Sequence, residues 1–408
     1  MRGKKERSGE EITNNKLYTP FFLIPCVFLW GIPSQFCFFA SSKNLNVKTA
    51  TAMIHNFNAG PSVLPKEVFE QASQAVIDFN NTGLSILEIG HRTTLFEPIM
   101  NEARILVKEL MKLDDDHEVL FLHGGATTQF MQVPMNLLNE NELAAYTDTG
   151  TWAVKAIKEA KLFGHVEIAG SSKETNYTTI PKELSVSPTA AYLHITTNET
   201  IAGTQWKDLP YDCGVPLVAD MSSDILSRVL DYNKFDIIYA GAQKNMGAAG
   251  VNLVVVNKNI LGKVTRVLPT ILDYRNHIKE GSMLNTPPVF AVYVAMLTLR
   301  WLKNLGGVEA IEKINNAKAE LFYSTLDSLP IFKGIVAKED RSYMNAVFVM
   351  DDPALEKEFL DLCKQEGMVG IKGHRSVGGF RVSMYNALTL ESVVALTDLM
   401  KEFAKKKA

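Results

Sequence analysis

Strand-length apolar runs alternating with helical-period segments predict an α/β fold: a large domain with a mostly parallel central sheet flanked by helices, then a smaller α/β domain at the C-terminus. Three observations carry this. Val119–Leu122, Leu143–Tyr146, Ala191–Ile195 and Pro216–Ala219 read as buried strands with helices between them. Polar residues collect where those runs end, as at Thr196-Thr197-Asn198-Glu199-Thr200 and Asp220-Met221-Ser222-Ser223, the pattern of a ligand crevice in a doubly wound sheet. After Gly306-Gly307 the rhythm changes to a shorter α/β/α/β/α order.

Taken in order, Pro65–Asn80 carries apolar residues at helical spacing (Val68, Ala72, Ala75, Val76, Phe79), and Phe96–Leu113 reads as a second helix. The strand Val119–Leu122 runs into His123-Gly124-Gly125-Ala126-Thr127-Thr128, with helix from Gln129. The first amides of a helix lack intrahelical partners, so a glycine turn leading into one is a ready phosphate site. The turn fits neither GxGxxG nor a P-loop, so no dinucleotide or nucleoside triphosphate is indicated. Gly150-Thr151-Trp152 opens the helix Ala153–Phe163, where the indole either stacks on a flat ring or packs in the core. Asp220 ends the apolar run VPLVA, where a carboxylate is either buried and in need of a partner or an ordinary turn residue. Phe235–Val256 reads as a hairpin whose connection, AGAQKNMGAAG, holds a single charge, Lys244. An ammonium among apolar strands and small residues is poorly hydrated, which lowers its pKa toward the state Schiff-base chemistry needs. A surface lysine in a glycine-rich loop is the competing reading. Beyond it, Asn285-Thr286-Pro287-Pro288 precedes the helix Phe290–Leu305, and Val308–Leu329 forms the next helix. The last region reads strand Asn345–Met350, helix Pro353–Gln365, strand Met368–Ile371, Lys372-Gly373-His374-Arg375, strand Phe380–Met384 and helix Thr389–Ala404.

The 408 residues suffice for a large core, and 46% hydrophobic with 21% charged content is ordinary for a globular protein. A net charge of −3 gives no reason to expect a nucleic-acid partner. Cys26, Cys37, Cys213 and Cys363 form no CxxC pair, which supports neither a metal site nor a disulfide framework and fits a reducing, cytoplasmic setting. Residues 1–53 differ in character: a basic start precedes the apolar run Phe21–Ala40, which Pro25, Gly31 and Pro33 interrupt. The expectation is that this extension is a miscalled start or non-native, disordered or poorly packed; a targeting or anchor segment is the alternative, and a membrane role is not expected. The large domain is then expected at 54–305, with its first dozen residues packing on the small domain at 306–408.

A lysine in an apolar hairpin, an aspartate 24 residues earlier at a strand end, a Gly-Gly-Ala-Thr helix start and a Trp are together the parts pyridoxal phosphate requires. The motifs Asn58-Ala-Gly-Pro-Ser62, His91-Arg92, His123-Gly-Gly-Ala-Thr-Thr-Gln-Phe130, Asn198-Glu-Thr-Ile-Ala-Gly203 and Ala219-Asp-Met-Ser-Ser223 go further. With Tyr239-Ala-Gly-Ala-Gln-Lys244-Asn, Gly281-Ser-Met-Leu-Asn-Thr-Pro-Pro288 and Lys372-Gly-His-Arg375-Ser-Val-Gly-Gly379, they closely resemble the phosphoserine aminotransferases, class V, fold-type I pyridoxal-phosphate enzymes. The resemblance runs from His55 to the end. It implies Lys244 as the Schiff-base lysine, Asp220 as partner of the pyridine nitrogen and Trp152 as the stacking aromatic. It further implies cofactor contacts from Ala126, Thr127, Gln243 and Thr200, and from Asn285 and Thr286 of the other subunit, hence a homodimer with shared active sites. Arg381 is similar to the α-carboxylate anchor, and His91, Arg92, His374 and Arg375 to the cluster that binds a phosphate or side-chain carboxylate. Thr127 stands where some relatives carry Arg, and Ala59 where many carry Ser, so a contact at Ala59 would be through backbone.

The activity so implied is amino transfer from L-glutamate to 3-phosphohydroxypyruvate in serine biosynthesis, with 4-phosphohydroxythreonine of vitamin B6 biosynthesis as a second family substrate. The alternatives are a class V aminotransferase for an unphosphorylated substrate, a cysteine desulfurase, and a non-catalytic, membrane-tethered cofactor-binding protein.

Overall fold

The computed structural model describes residues 53–407. Of the predicted extension, all but Met53 lies outside the described residues. Residues 52–408 cluster as one compact unit. Among the described residues, no helix is long and apolar enough to cross a membrane.

Seven strands build the central sheet: β1 His117–Leu122, β2 Leu143–Asp148, β3 His165–Ser171, β4 Leu193–Thr196, β5 Leu217–Asp220, β6 Ile237–Gly241 and β7 Asn252–Asn257. Their order is β1-β7-β6-β5-β4-β2-β3. Only β7 is antiparallel, pairing with β1 on one side and β6 on the other. The parallel strands therefore share one C-terminal edge. There the register sets Thr196 beside Asp220 and Asp220 beside Tyr239.

Strand side chains alternate between faces, and the burial follows that period. Val119, Phe121, Leu193, Ile195, Leu217, Ala219, Ile238, Ala240, Leu253 and Val255 enter one core with the helices Glu97–Met111 and Val289–Asn304. Leu120, Leu122, Tyr192, Val218, Ile237, Tyr239, Val254 and Val256 enter the other, under the helices Gly125–Leu137 and Thr151–Ala160. Burial on both faces explains why these strands read as unbroken apolar runs. The edge strand β3, HVEIAGS, is partly exposed and polar at alternate positions, and sequence reading passed over it. The helix after β1 starts at Gly125, ahead of the expected Gln129. Gly124 and Gly125 both have positive φ, and a Cβ on Gly124 would fall 2.0 Å from Thr128 Oγ1, so glycine is required at that turn.

A third cluster gathers Phe322, Phe332, Phe348, Phe359, Phe380 and Phe403 around a small sheet of Lys333–Gly334, Asn345–Val349 and Phe380–Ser383. Phe57 joins it, and His55–Asn56 pairs in parallel with Met368–Val369. The antiparallel pairing sets Arg381, on the last strand of this sheet, opposite Val347.

Lys318 of the helix Gly307–Ser328 is fully buried and donates to the carbonyls of Met384, Tyr385 and Leu388 at 2.8–3.1 Å. The clamp shapes the turn that carries Tyr385, whose hydroxyl donates to the Ala59 carbonyl at 2.9 Å. Lys318→Met keeps the methylene packing but strips three buried acceptors of their donor. It is expected to lower unfolding free energy by about 3 kcal/mol in urea titrations.

Candidate active site

A cavity of about 540 Å³ opens along the C-terminal edge of the sheet. Its wall brings together Ala126, Thr127, Trp152, Thr200, Asp220, Gln243, Lys244, His374, Arg375 and Arg381, ten of the residues singled out from sequence. The larger cleft at Trp206–Cys213, about 710 Å³, contains none of them.

Lys244 sits in the β6–β7 connection, with its chain against Gly60, where a Cβ would meet the Lys244 Cγ at 3.2 Å. Its Nζ donates to Thr200 Oγ1 at 2.8 Å and lies 5.5 Å from the Trp152 ring centroid. Desolvation pulls the amine down to about 8, while the charges of Asp220 and Glu199 resist the shift. Asp220 is 5% exposed at the end of β5. Burial raises its pKa, opposed by hydrogen bonding to Ser222, whose amide donates to Oδ1 at 2.9 Å, and by the Lys244 charge. No ammonium or guanidinium among the described residues pairs with it. A buried carboxylate of this kind stays charged only where a cationic partner reaches it, and otherwise takes up a proton.

A helix start also lines the cavity, at Gly124, Gly125, Ala126 and Thr127. Gly124, the residue before the helix Gly125–Leu137, provides no side-chain cap, so among the described residues the first-turn amides have no side-chain acceptor there, and a Cβ on Gly125 would meet nothing within 4 Å. The Trp152 Nε1, Thr196 Oγ1 and Arg381 Nε atoms are buried without hydrogen-bond partners among the described residues. Among the described residues the Arg381 side chain makes one hydrogen bond, from Nη1 to the Thr200 carbonyl at 3.4 Å, leaving most of its guanidinium fork for an anion. His374 Nδ1 lies 2.7 Å from Ser376 Oγ. Burial and then the positive fields of Arg381, Arg375 and Lys155 lower the His374 pKa. That arrangement suits a doubly charged anion.

The remaining predicted residues stand elsewhere in the chain. His91 and Arg92 are outside this cavity, with Arg92 Nε donating to His91 Nε2 at 3.3 Å. Asn285 and Thr286 are outside it too, and the Thr286 carbonyl accepts from His123 Nε2 at 2.7 Å. The Ala59 backbone lines the cavity, and its carbonyl is taken by Tyr385. Cys363 is 1% exposed and burial pushes its thiol up to about 12, the opposite of an activated nucleophile. Two further residues were missed. Lys155 stands 4.2 Å over the Trp152 ring and lines the cavity; one turn into a helix, it looks like any surface lysine in sequence. Glu199, inside a motif that was noted, folds onto the start of the Trp152 helix.

The cavity thus offers a depressed amine, an uncompensated carboxylate, an aromatic plate, free helix amides and a guanidinium fork. Residues 54–396 match the Aminotransferase class-V family. Phosphoserine aminotransferase of Flavobacterium psychrophilum is 56% identical over 353 residues, covering 86% of this chain and 99% of its own. That of Phocaeicola vulgatus is 53% identical over 354 residues, covering 86% and 99%. The solved phosphoserine aminotransferase of Bacillus circulans subsp. alkalophilus superposes with a TM-score of 0.85 at 45% identity, over 87% of this chain and 99% of its own. The pyridoxal-phosphate-bound enzyme of Trichomonas vaginalis does so at 0.81 and 35%, over 86% and 100%.

The depressed amine is directly measurable. In the protein without added ligand, labelling of Lys244 by an amine-reactive reagent is expected to rise through a midpoint near pH 8, roughly two units below ordinary lysines. Asp220→Asn removes the strongest charge holding that value up, so the midpoint should fall further. Mass-spectrometric labelling profiles across pH read both.

Proposed function

Because the chain belongs to the class-V aminotransferases, we propose that it is a pyridoxal-phosphate-dependent phosphoserine aminotransferase, moving the amino group of L-glutamate to 3-phosphohydroxypyruvate. The observation that carries the assignment is that Lys244, Asp220 and an uncapped helix start line one cavity. The residues present fit the cofactor. Lys244 would hold its aldehyde carbon, Asp220 its ring nitrogen, Trp152 its ring face, and the amides at Ala126 and Thr127 its phosphate. Thr200 and Gln243 complete the rim. When bound, pyridoxal phosphate supplies an electron sink for the bonds at the substrate α-carbon.

The chain supplies the rest. The Arg381 fork orients the α-carboxylate that glutamate and the oxo acid share. Once free, Lys244 Nζ would take the Cα proton, and an amine depressed to about 8 lies near enough to neutrality for that work. Asp220 would hold a proton on the cofactor's ring nitrogen, and that cationic partner would offset the burial that raises the carboxyl's own pKa. His374 and Arg375, with Lys155 beside them, meet the tail, and guanidinium accepts a carboxylate or a phosphate with equal geometric ease. One site therefore serves both half-reactions, in serine biosynthesis and, through the homologous phosphorylated hydroxy-oxo acid, in pyridoxine biosynthesis.

The same reading takes residues 54–305 as the large domain and 306–408 as the small one, in a cytoplasmic homodimer. His91 and Arg92, with Asn285 and Thr286, would then serve the partner's cavity. Their position outside their own supports this.

Two measurements test the assignment. After conversion with glutamate, the enzyme should react with 3-phosphohydroxypyruvate faster than with pyruvate by on the order of a hundredfold; equal rates would reject the phosphate subsite. Lys244→Ala should abolish turnover, and wild-type turnover in that variant would reject the whole assignment. For the shared site, mixing Lys244→Ala with Asn285→Ala subunits should give activity above the sum of the two preparations, since one hybrid site keeps both residues. Activity equal to the sum would argue for independent sites.

A further inference from the structure

Glu199 is 1% exposed, and nothing in the reaction as described uses it. It follows β4 in the short strand Asn198–Glu199, which pairs with Thr204–Gln205. Its carboxylate reaches back 47 residues to the start of the helix Thr151–Ala160. Oε1 accepts from the Ala153 amide at 3.1 Å and Oε2 from the Trp152 amide at 3.3 Å. The residue before that helix, Gly150, has no side chain to cap it, and the helix carries no acid of its own in the first turn. Gly150 also leaves the room: a Cβ there would fall 2.4 Å from Glu199 Cδ. A long-range carboxylate has taken the place a local Ser, Thr or Asp usually fills.

We propose that Glu199 is a positioning residue of the cofactor site, clamping the second and third amides of the Trp152 helix so that the indole is held as a rigid plate over the cavity. Among the described residues the indole Nε1 has no hydrogen-bond partner to fix the ring's orientation. The ring packs, partly buried, against the core beneath its own helix, with Lys155 of the same helix 4.2 Å and Lys244 5.5 Å from its centroid. The backbone clamp adds to that packing by fixing the Trp152 amide, the point from which the ring projects. The arrangement also keeps an acid where it is costly. Burial raises the Glu199 carboxyl to about 7, against the two amide bonds and the Lys244 charge. Asp220, Lys244 and the Tyr177 phenol face it electrostatically. An apolar residue would avoid that cost but would leave two helix amides without acceptors.

The inference rests on reading the cavity as a pyridoxal-phosphate site, and a thermodynamic cycle separates the two. The dissociation constant of pyridoxal phosphate and the visible circular dichroism of the bound cofactor are measured for wild type, Glu199→Ala, Trp152→Ala and the double variant. Each single variant should bind the cofactor on the order of tenfold more weakly with a reduced dichroic band. The double variant should be no worse than Trp152→Ala alone, because the clamp has nothing left to hold. Glu199→Gln keeps one acceptor oxygen and should recover part of the loss; where Glu199→Ala fails to fold, the same cycle is run with Gln. Additive losses, or a Glu199 variant with unchanged dichroism and affinity, would overturn the positioning role while leaving the cofactor reading intact. A wild-type protein that binds no pyridoxal phosphate would overturn both.

Discussion

An amine and a carboxylate that share a desolvated strand edge are the constraint from which the rest of the site follows. Burial drives Lys244 and Asp220 toward their neutral forms, and each one's charge holds the other's partly in place. Such a pair is expensive in a protein that has no use for it. Here the cost is met by geometry: the parallel strands deliver both residues to one edge, where backbone polar groups run out of ladder partners and a crevice opens.

The edge is braced from the small sheet. Asn198 Nδ2 donates to Ser223 Oγ at 2.7 Å and to Asn345 Oδ1 at 2.8 Å. Asn345 Nδ2 in turn donates to Ser383 Oγ and to the Tyr385 hydroxyl at 3.0 and 3.1 Å. Tyr385 reaches the Ala59 carbonyl, and Lys318 holds the turn below it. Arg381 lies on the same strand as Ser383. The strand that carries Arg381 is thus tied, through the buried amides of Asn345 and Asn198, to Ser223 beside Asp220. Satisfied buried networks of this kind are stiff, which suits a site that must orient two different acids alike.

Most of the architecture was legible because each central strand is buried on both faces and so appears as an apolar run. The hairpin of β6 and β7, the helix Pro353–Gln365 and the helix before Gly306 formed within a residue or two of expectation. The elements that escaped lack that signal. Strand β3 lies at the sheet edge and alternates polar with apolar side chains, and the helix Tyr274–Lys279 is too short to show a period. Glu199 escaped for another reason. Its neighbours in sequence say only that it ends a strand, and its partners lie 47 residues away.

Composition and pattern by themselves determined the α/β class, the edge where polar residues gather, and the suspicion attached to Lys244. Those are local properties: burial of a run, the spacing of apolar residues, a charge without polar neighbours. Tertiary structure alone decided which charges share a cavity. It set Arg381, Arg375 and His374 against Trp152 and Lys155, kept His91 and Arg92 out, and turned Glu199 back onto a helix start. Contacts of that kind depend on strand order and on where helices begin in space, and a chain read one residue at a time carries neither.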